Sequence, residues 1–91
     1  MRPERSERMA YLENHQLYYK KSCPYCARVL RFMEESKITL DLRNTLEPGN
    51  QEDLVRIGGK KQVPCLVIEG RPLYESGDII NYLREKATKS A

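Results

Sequence analysis

Cys23 and Cys26 stand in the stretch Lys20-Lys21-Ser22-Cys23-Pro24-Tyr25-Cys26. A short apolar run, Leu17-Tyr18-Tyr19, precedes them, and a helical pattern follows. That layout puts Cys23 at the start of a helix, where unpaired backbone N–H groups and the helix dipole favour a thiolate. The thiolate is the form that attacks disulfides. Cys26 lies one helical turn further on, where it could attack a mixed disulfide formed at Cys23 and release a reduced product. Pro24 lacks an N–H and fixes φ, which stiffens the approach to the helix. The chemistry these residue types imply is thiol–disulfide exchange.

The bulk properties agree with a small enzyme of that kind. A chain of 91 residues suffices for one domain with a modest core. With 40% apolar and 32% charged residues, a soluble globular protein is expected rather than a disordered one. The net charge of +3, from 16 basic and 13 acidic residues, is too small to imply nucleic-acid binding. No run approaches the roughly 18 apolar residues a membrane span needs. The charged N-terminus shows no secretory h-region, so a cytoplasmic location is expected. There a CxxC pair is more often catalytic or metal-binding than structural. Three cysteines leave one over, which argues against a stapled scaffold.

The elements that position the pair read as β-α-β-α-β-β-α. Residues 1–14 are expected to be a solvated extension and 15–91 the domain. Gln16 to Lys20 reads as a strand. Pro24 suits the first helical position. Cys26, Val29, Leu30 and Met33 then recur at helical spacing to an end near Ser36 or Lys37. Residues 38–43 alternate as a half-buried strand. Gln51 to Ile57 reads as a short helix with Leu54, Val55 and Ile57 as its apolar contacts, closed by Gly58-Gly59. A strand is expected just after Pro64, because proline is a poor residue in a central strand. A turn at 69–72 then leads to Leu73-Tyr74. Ser76 is the expected N-cap of a last helix whose inner face is Ile79, Ile80, Leu83 and Ala87.

With those residues in view, the chain resembles a glutaredoxin over about residues 16–87. Cys23-Pro24-Tyr25-Cys26 matches the CPYC site of the dithiol members, and Val63-Pro64 matches their Val followed by a cis-proline. Ser76-Gly77-Asp78 falls where that family holds the γ-glutamyl end of glutathione. The resemblance implies a thioredoxin-like α/β fold, with a four-stranded mixed sheet flanked by helices. It implies a glutathione-dependent oxidoreductase that reduces protein disulfides and glutathione mixed disulfides, with Cys23 as nucleophile and Cys26 as the resolving thiol. Glutathione would be co-substrate and partner, beside glutathionylated or disulfide-containing proteins. No metal, nucleic acid or membrane is expected, and a monomer is. Carried over residue by residue, Val63 would offer its backbone to the ligand. Lys20 and Lys61 would be candidates for the glycine carboxylate, and Lys60 is an equal alternative to Lys61. Tyr25 would either pack beside a bound peptide or stand exposed.

The pattern departs from glutaredoxins in two places. Gln62 stands where a threonine is frequent. The segment Leu73-Tyr74-Glu75-Ser76-Gly77-Asp78-Ile79-Ile80-Asn81-Tyr82-Leu83 looks more like the N-terminal domain of glutathione transferases, where a Glu-Ser or Gln-Ser pair holds the same γ-glutamyl group. A transferase would add a helical second domain, so the chain's end at Ala91 favours the glutaredoxin reading.

Other readings stay open at this level. A thioredoxin-type donor, reduced by a flavoprotein, would need no glutathione groove. A metal or iron–sulfur module would draw on Cys23, Cys26, Cys65 and His15. A non-catalytic glutathione-binding domain would not need Cys23. Cys65 itself reads as a small apolar strand residue, and His15 as a surface residue.

Overall fold

The computed structural model describes residues 10–90. In chain order the elements are β1 (Ala10–Tyr19), α1 (Pro24–Ser36), β2 (Ile38–Asn44), α2 (Asn50–Gly58), β3 (Cys65–Ile68), β4 (Arg71–Tyr74) and α3 (Ser76–Ser90). The four strands form one sheet in the order β2-β1-β3-β4. β1 runs parallel to β2 and antiparallel to β3, and β3 runs antiparallel to β4. This is the thioredoxin-like arrangement that the resemblance implied.

Alternation along the strands splits the core in two, because successive side chains point to opposite faces of a sheet. Leu17 of β1 and Leu66 of β3 face α1 and α3, where they meet Val29, Met33, Ile79 and Leu83. Tyr18, Cys65 and Val67 face the other way and pack on Leu54 of α2. Both faces of β3 and of the Leu17–Tyr19 end of β1 are therefore covered, and these stretches read as continuous apolar runs. Truncating a fully buried leucine such as Leu17, Leu66 or Leu83 to alanine removes about 2–5 kcal/mol. Pro72 sits in β4, an edge strand, where a missing N–H costs the ladder nothing on its open side.

Several expectations need correction. β1 starts at Ala10, not near Gln16. Its register against β2 jumps between Tyr11 and Gln16. Asn14 takes the left-handed conformation there (φ 64°), which asparagine tolerates better than most residues. Its carbonyl accepts the Glu69 N–H at 2.9 Å. The expected extension thus contributes strand from Ala10 onward, while residues 1–9 lie outside the described residues, as does the side chain of Ala87. Val55 and Leu42 are exposed rather than core. Val55 turns away from the single buried contact of α2, and Leu42 sits on the open edge strand β2.

The helix ends follow local chemistry. Lys37 closes α1 in the left-handed conformation (φ 59°) and donates its N–H to the Glu34 carbonyl at 3.3 Å. Gly59, at φ 83°, closes α2 and donates to the Val55 carbonyl at 2.7 Å, a position that favours glycine. At the start of α3 the Glu75 carbonyl accepts the Ile79 N–H at 3.0 Å. Glu75, not Ser76, therefore holds the cap position, and Ser76 is the first helical residue. No described helix is long and apolar enough to cross a membrane.

Candidate functional site

Strand register brings three separated segments to one end of the sheet. Tyr18 of β1 pairs with Cys65 of β3, so the loop after β1 passes beside the residues that lead into β3. Cys65 also pairs with Tyr74 of β4, so Glu75 follows β4 on the other side of Pro64. Lys20–Cys23, Gln62–Pro64 and Glu75–Ser76 are thereby neighbours, although up to some fifty residues of chain separate them.

Cys23 occupies the N-cap of α1 with extended backbone (φ −90°, ψ 120°), and Pro24 follows at the first helical position. The Cys23 N–H is held by the Lys20 carbonyl at 3.0 Å, and the Cys23 carbonyl accepts the Ala27 N–H at 3.0 Å. The turn and the first helical bond fix the residue from both sides. Its side chain is half-buried, and all three cysteines are free thiols.

The two thiols of the pair differ sharply. Burial acts against ionisation of Cys23. The Cys26 backbone N–H, the Cys26 thiol, the Tyr25 N–H and the charge of Lys20 outweigh it, and the pKa falls below the ordinary 9.0. The sulfur makes no full capping hydrogen bond, so these N–H groups act as oriented dipoles at the helix end. Cys26 is completely buried. Burial first, and the neighbouring Cys23 second, push its thiol up to about 11, against the Lys20 N–H that points at its sulfur from 3.5 Å. One thiol is shifted toward ionisation at the helix end, and the other, inside the core, is shifted toward keeping its proton.

Beside this pair runs a groove of about 400 Å³ lined by Tyr25, Gln62, Val63, Pro64, Glu75 and Ser76. The Val63–Pro64 peptide is cis. Tyr25 is 58% exposed and stands over one wall. Of the residues proposed from sequence, Tyr25, Val63, Pro64 and Ser76 meet in the groove. Lys20 lies beside Cys23 rather than in the lining. Lys61 is an exposed neighbour of the lining residue Gln62, and Gly77 and Asp78 are exposed on the first turn of α3. Gln62 lines the groove without having been proposed as a binding residue, and Glu75 lines it as the first member of the Glu-Ser pair. The signal for Glu75 was present in the Glu75-Ser76 pair, and its backbone, at φ 74°, carries a conformation that non-glycine residues seldom adopt.

The four-ligand metal set is not assembled. Among the described residues no group of three or more His, Cys, Asp and Glu side chains converges. Cys65 is fully buried beneath Tyr74 on the α2 face of the sheet. His15 is also buried, at 7% exposure, which corrects its reading as a surface residue. Its Nδ1 lies 2.7 Å from the Glu13 carbonyl, which can only accept, so Nδ1 carries the proton. Its Nε2 then accepts the Tyr82 hydroxyl at 2.8 Å.

Solved structures of two functional kinds share this fold. A diazinon-metabolizing glutathione S-transferase from the silkworm Bombyx mori aligns with TM-score 0.68 at 24% identity, over 85% of this chain and 39% of its own. Glutathione S-transferase 1-6 from Anopheles dirus species B aligns with TM-score 0.67 at 29% identity, over 81% of this chain and 36% of its own. A buckwheat glutaredoxin in complex with glutathione aligns with TM-score 0.62 at 18% identity, over 81% of this chain and 71% of its own. The chain thus spans well under half the length of the transferases it resembles. No curated protein sequence matches it. The glutaredoxin likeness is one of fold, whereas the sequence itself, over residues 17–91, matches the model of the glutathione S-transferase N-terminal domain, and the chain belongs to that family.

Proposed function

We propose that this protein is a glutathione-dependent thiol–disulfide oxidoreductase in which Cys23 is the nucleophile. The observation that carries the reading is the pairing of a half-buried, acid-shifted Cys23 at a helix N-terminus with a fully buried, proton-retaining Cys26. Transferases that activate the glutathione thiol itself have no need of such a pair.

The steps balance without any further reductant. The Cys23 thiolate attacks the glutathione sulfur of a mixed disulfide. A Cys23–glutathione disulfide forms, and the target leaves as a thiolate. A second glutathione thiolate then attacks the glutathione sulfur of that adduct, giving glutathione disulfide and restoring Cys23. Alternatively Cys26 loses its proton and attacks the Cys23 sulfur, forming the Cys23–Cys26 disulfide and releasing glutathione. Two glutathione molecules then return the pair to dithiols. The groove beside Cys23 suits the tripeptide. An extended cysteinyl segment would pair with the Val63 backbone as an added strand does. Glu75 and Ser76 would receive the γ-glutamyl group, where the carboxylate of Glu75 offers an acceptor for its ammonium and the start of α3 favours its carboxylate.

The test is reduction of a glutathionylated small disulfide, coupled to glutathione reductase and NADPH, by wild type, Cys23→Ser and Cys26→Ser. Turnover is expected in wild type and Cys26→Ser and only background in Cys23→Ser. Inactive wild type would overturn the reading. A second reading, conjugation of glutathione to an electrophile, is favoured by the family to which the chain belongs. It predicts activity with a chlorodinitrobenzene that survives Cys23→Ser.

A further inference from the structure

On α1 just after Cys23, and sharing no lining residue with the groove, a depression of about 260 Å³ is lined by Pro24, Ala27, Arg28 and Arg31. Both arginines are exposed, and neither forms an ion pair among the described residues. They are three residues apart on α1, so they share a face and point outward together. The first turn of α1 contains no acidic residue. Lys20 and Lys21 extend the positive charge along the loop, while Glu34 and Glu35 lie beyond Arg31 at the far end of the helix. Pro24 belongs to this depression and follows Cys23 directly, so an occupant lies one residue along the chain from the nucleophile.

We propose that this face docks the acidic segment of a protein substrate that flanks its disulfide, with carboxylates placed on Arg28 and Arg31. The inference rests on Cys23 being the exchanging thiol, as proposed above. When the target is a protein disulfide, the arginine face would hold the segment whose sulfur Cys23 attacks, and the groove at Val63 and Glu75 would stay open for glutathione. Arginine suits the task because its planar fork binds carboxylates in bidentate fashion. Charge complementarity at an exposed rim acts mainly on the association rate.

The test measures the exchange step alone, without glutathione. Short peptides carrying one cysteine as a mixed disulfide with thionitrobenzoate are given acidic, neutral or basic flanks. Attack by the Cys23 thiolate on the peptide sulfur forms a Cys23–peptide disulfide and expels the coloured thionitrobenzoate thiolate, followed by stopped flow. Wild type is expected to react with the acidic peptide at least about tenfold faster than with the basic one at low ionic strength. The preference should shrink as salt shortens the screening length to about 10 Å and below. Arg28→Glu with Arg31→Glu should invert the preference, and Arg28→Gln with Arg31→Gln should remove it. In both double variants the rate with a 2-mercaptoethanol–thionitrobenzoate disulfide should stay near wild type.

Equal rates for acidic and basic peptides would overturn the proposal. So would a preference that persists in both double variants, which would assign it to the lysines instead. Charge-selective exchange in a protein that fails to turn over glutathione would support the docking face while overturning the proposed function. Glutathione turnover without charge selectivity would do the reverse.

Discussion

Cys26 lies one helical turn beyond Cys23, and the fold drives the two thiols in opposite directions. Cys23 falls below 9.0 because burial is outweighed by the Cys26 and Tyr25 backbone, the Cys26 thiol and Lys20. Cys26 rises to about 11, through burial first and the neighbouring Cys23 second. A single turn of helix separates a thiol at the solvent boundary from one inside the core, so the order in which they ionise follows their position.

That ordering predicts the pH profile of alkylation. With iodoacetamide and mass detection, Cys23 should react first, with an inflection below 9.0. Lys20→Gln should move that inflection upward, because the lysine charge favours the thiolate. Cys26 should stay protected until the medium nears pH 11. The same shifts act on stability. The unfolded state holds the Cys23 proton over the interval from the lowered native value to 9.0, so stability rises with pH there. From 9.0 to about 11 the native state holds the Cys26 proton while the unfolded thiol ionises, so stability falls. Urea midpoints of wild type and Cys26→Ser across this range should diverge above pH 9. Parallel curves would contradict the assignment.

Glu75 should separate binding from stability. Its left-handed backbone costs about 1–2 kcal/mol for a residue with a Cβ. Glycine would relieve that strain but lose more chain entropy on folding, about 0.5–1 kcal/mol. Glu75→Gly is therefore expected to change stability by no more than about 1.5 kcal/mol. Glutathione would lose a charged hydrogen bond worth about 1.5–3 kcal/mol, or at least tenfold in affinity. Calorimetric titration of glutathione and urea unfolding of the same variant check both halves. Unchanged affinity would remove Glu75 from the binding wall.

The order of elements and the placement of Cys23 were legible in the sequence, because each rests on short-range pattern. The helical recurrence after Pro24, the alternation at Ile38–Arg43 and the paired glycines after Ile57 each fall within one element. What was not legible depends on long-range pairing. The strand at Ala10–Asn14 follows a charged segment and meets β2 only across a register jump, so no clean alternation marks it. His15 has no apolar neighbours in sequence to suggest burial, since its partner Tyr82 lies 67 residues away. The groove is a product of register, since Pro64 faces Glu75 only because Cys65 pairs with Tyr74. Motif resemblance named Tyr25, Val63, Pro64 and Ser76 and carried Glu75 in the Glu-Ser pair, and geometry supplied Gln62.

The His15–Tyr82 contact ties β1 to α3 from the inside. Tyr82→Phe keeps the ring but strips Nε2 of its donor within a nearly buried site. An unsatisfied buried acceptor costs about 1–3 kcal/mol. Urea unfolding should show a loss of that size with an unchanged slope, since the surface exposed on unfolding is the same. A loss below about 0.5 kcal/mol would mean that water replaces the hydroxyl and that the contact is not structural.

Gly58, the last residue of α2, lies against the Tyr74 hydroxyl so closely that a Cβ there would overlap it, with the ring Cζ also at 3.0 Å. Among the described residues that hydroxyl is buried without a hydrogen-bond partner, and Lys60 Nζ sits 4.4 Å over the ring. The Cys65 thiol is its electrostatic neighbour, and burial pushes both groups' ionisation up. In an ordinary helix, Gly→Ala would stabilise by about 1 kcal/mol. Here Gly58→Ala should instead destabilise by about 1–3 kcal/mol, the usual cost of overpacking. Tyr74→Phe should be neutral or slightly stabilising, since it removes a polar group with no partner. Combining the two should recover much of the loss, because the hydroxyl that met the new methyl is gone. The double-mutant cycle is expected to show a favourable coupling of about 0.5–3 kcal/mol by urea unfolding. Additive effects would mean that α2 shifts to accept the methyl and that Tyr74 does not set its distance from the sheet.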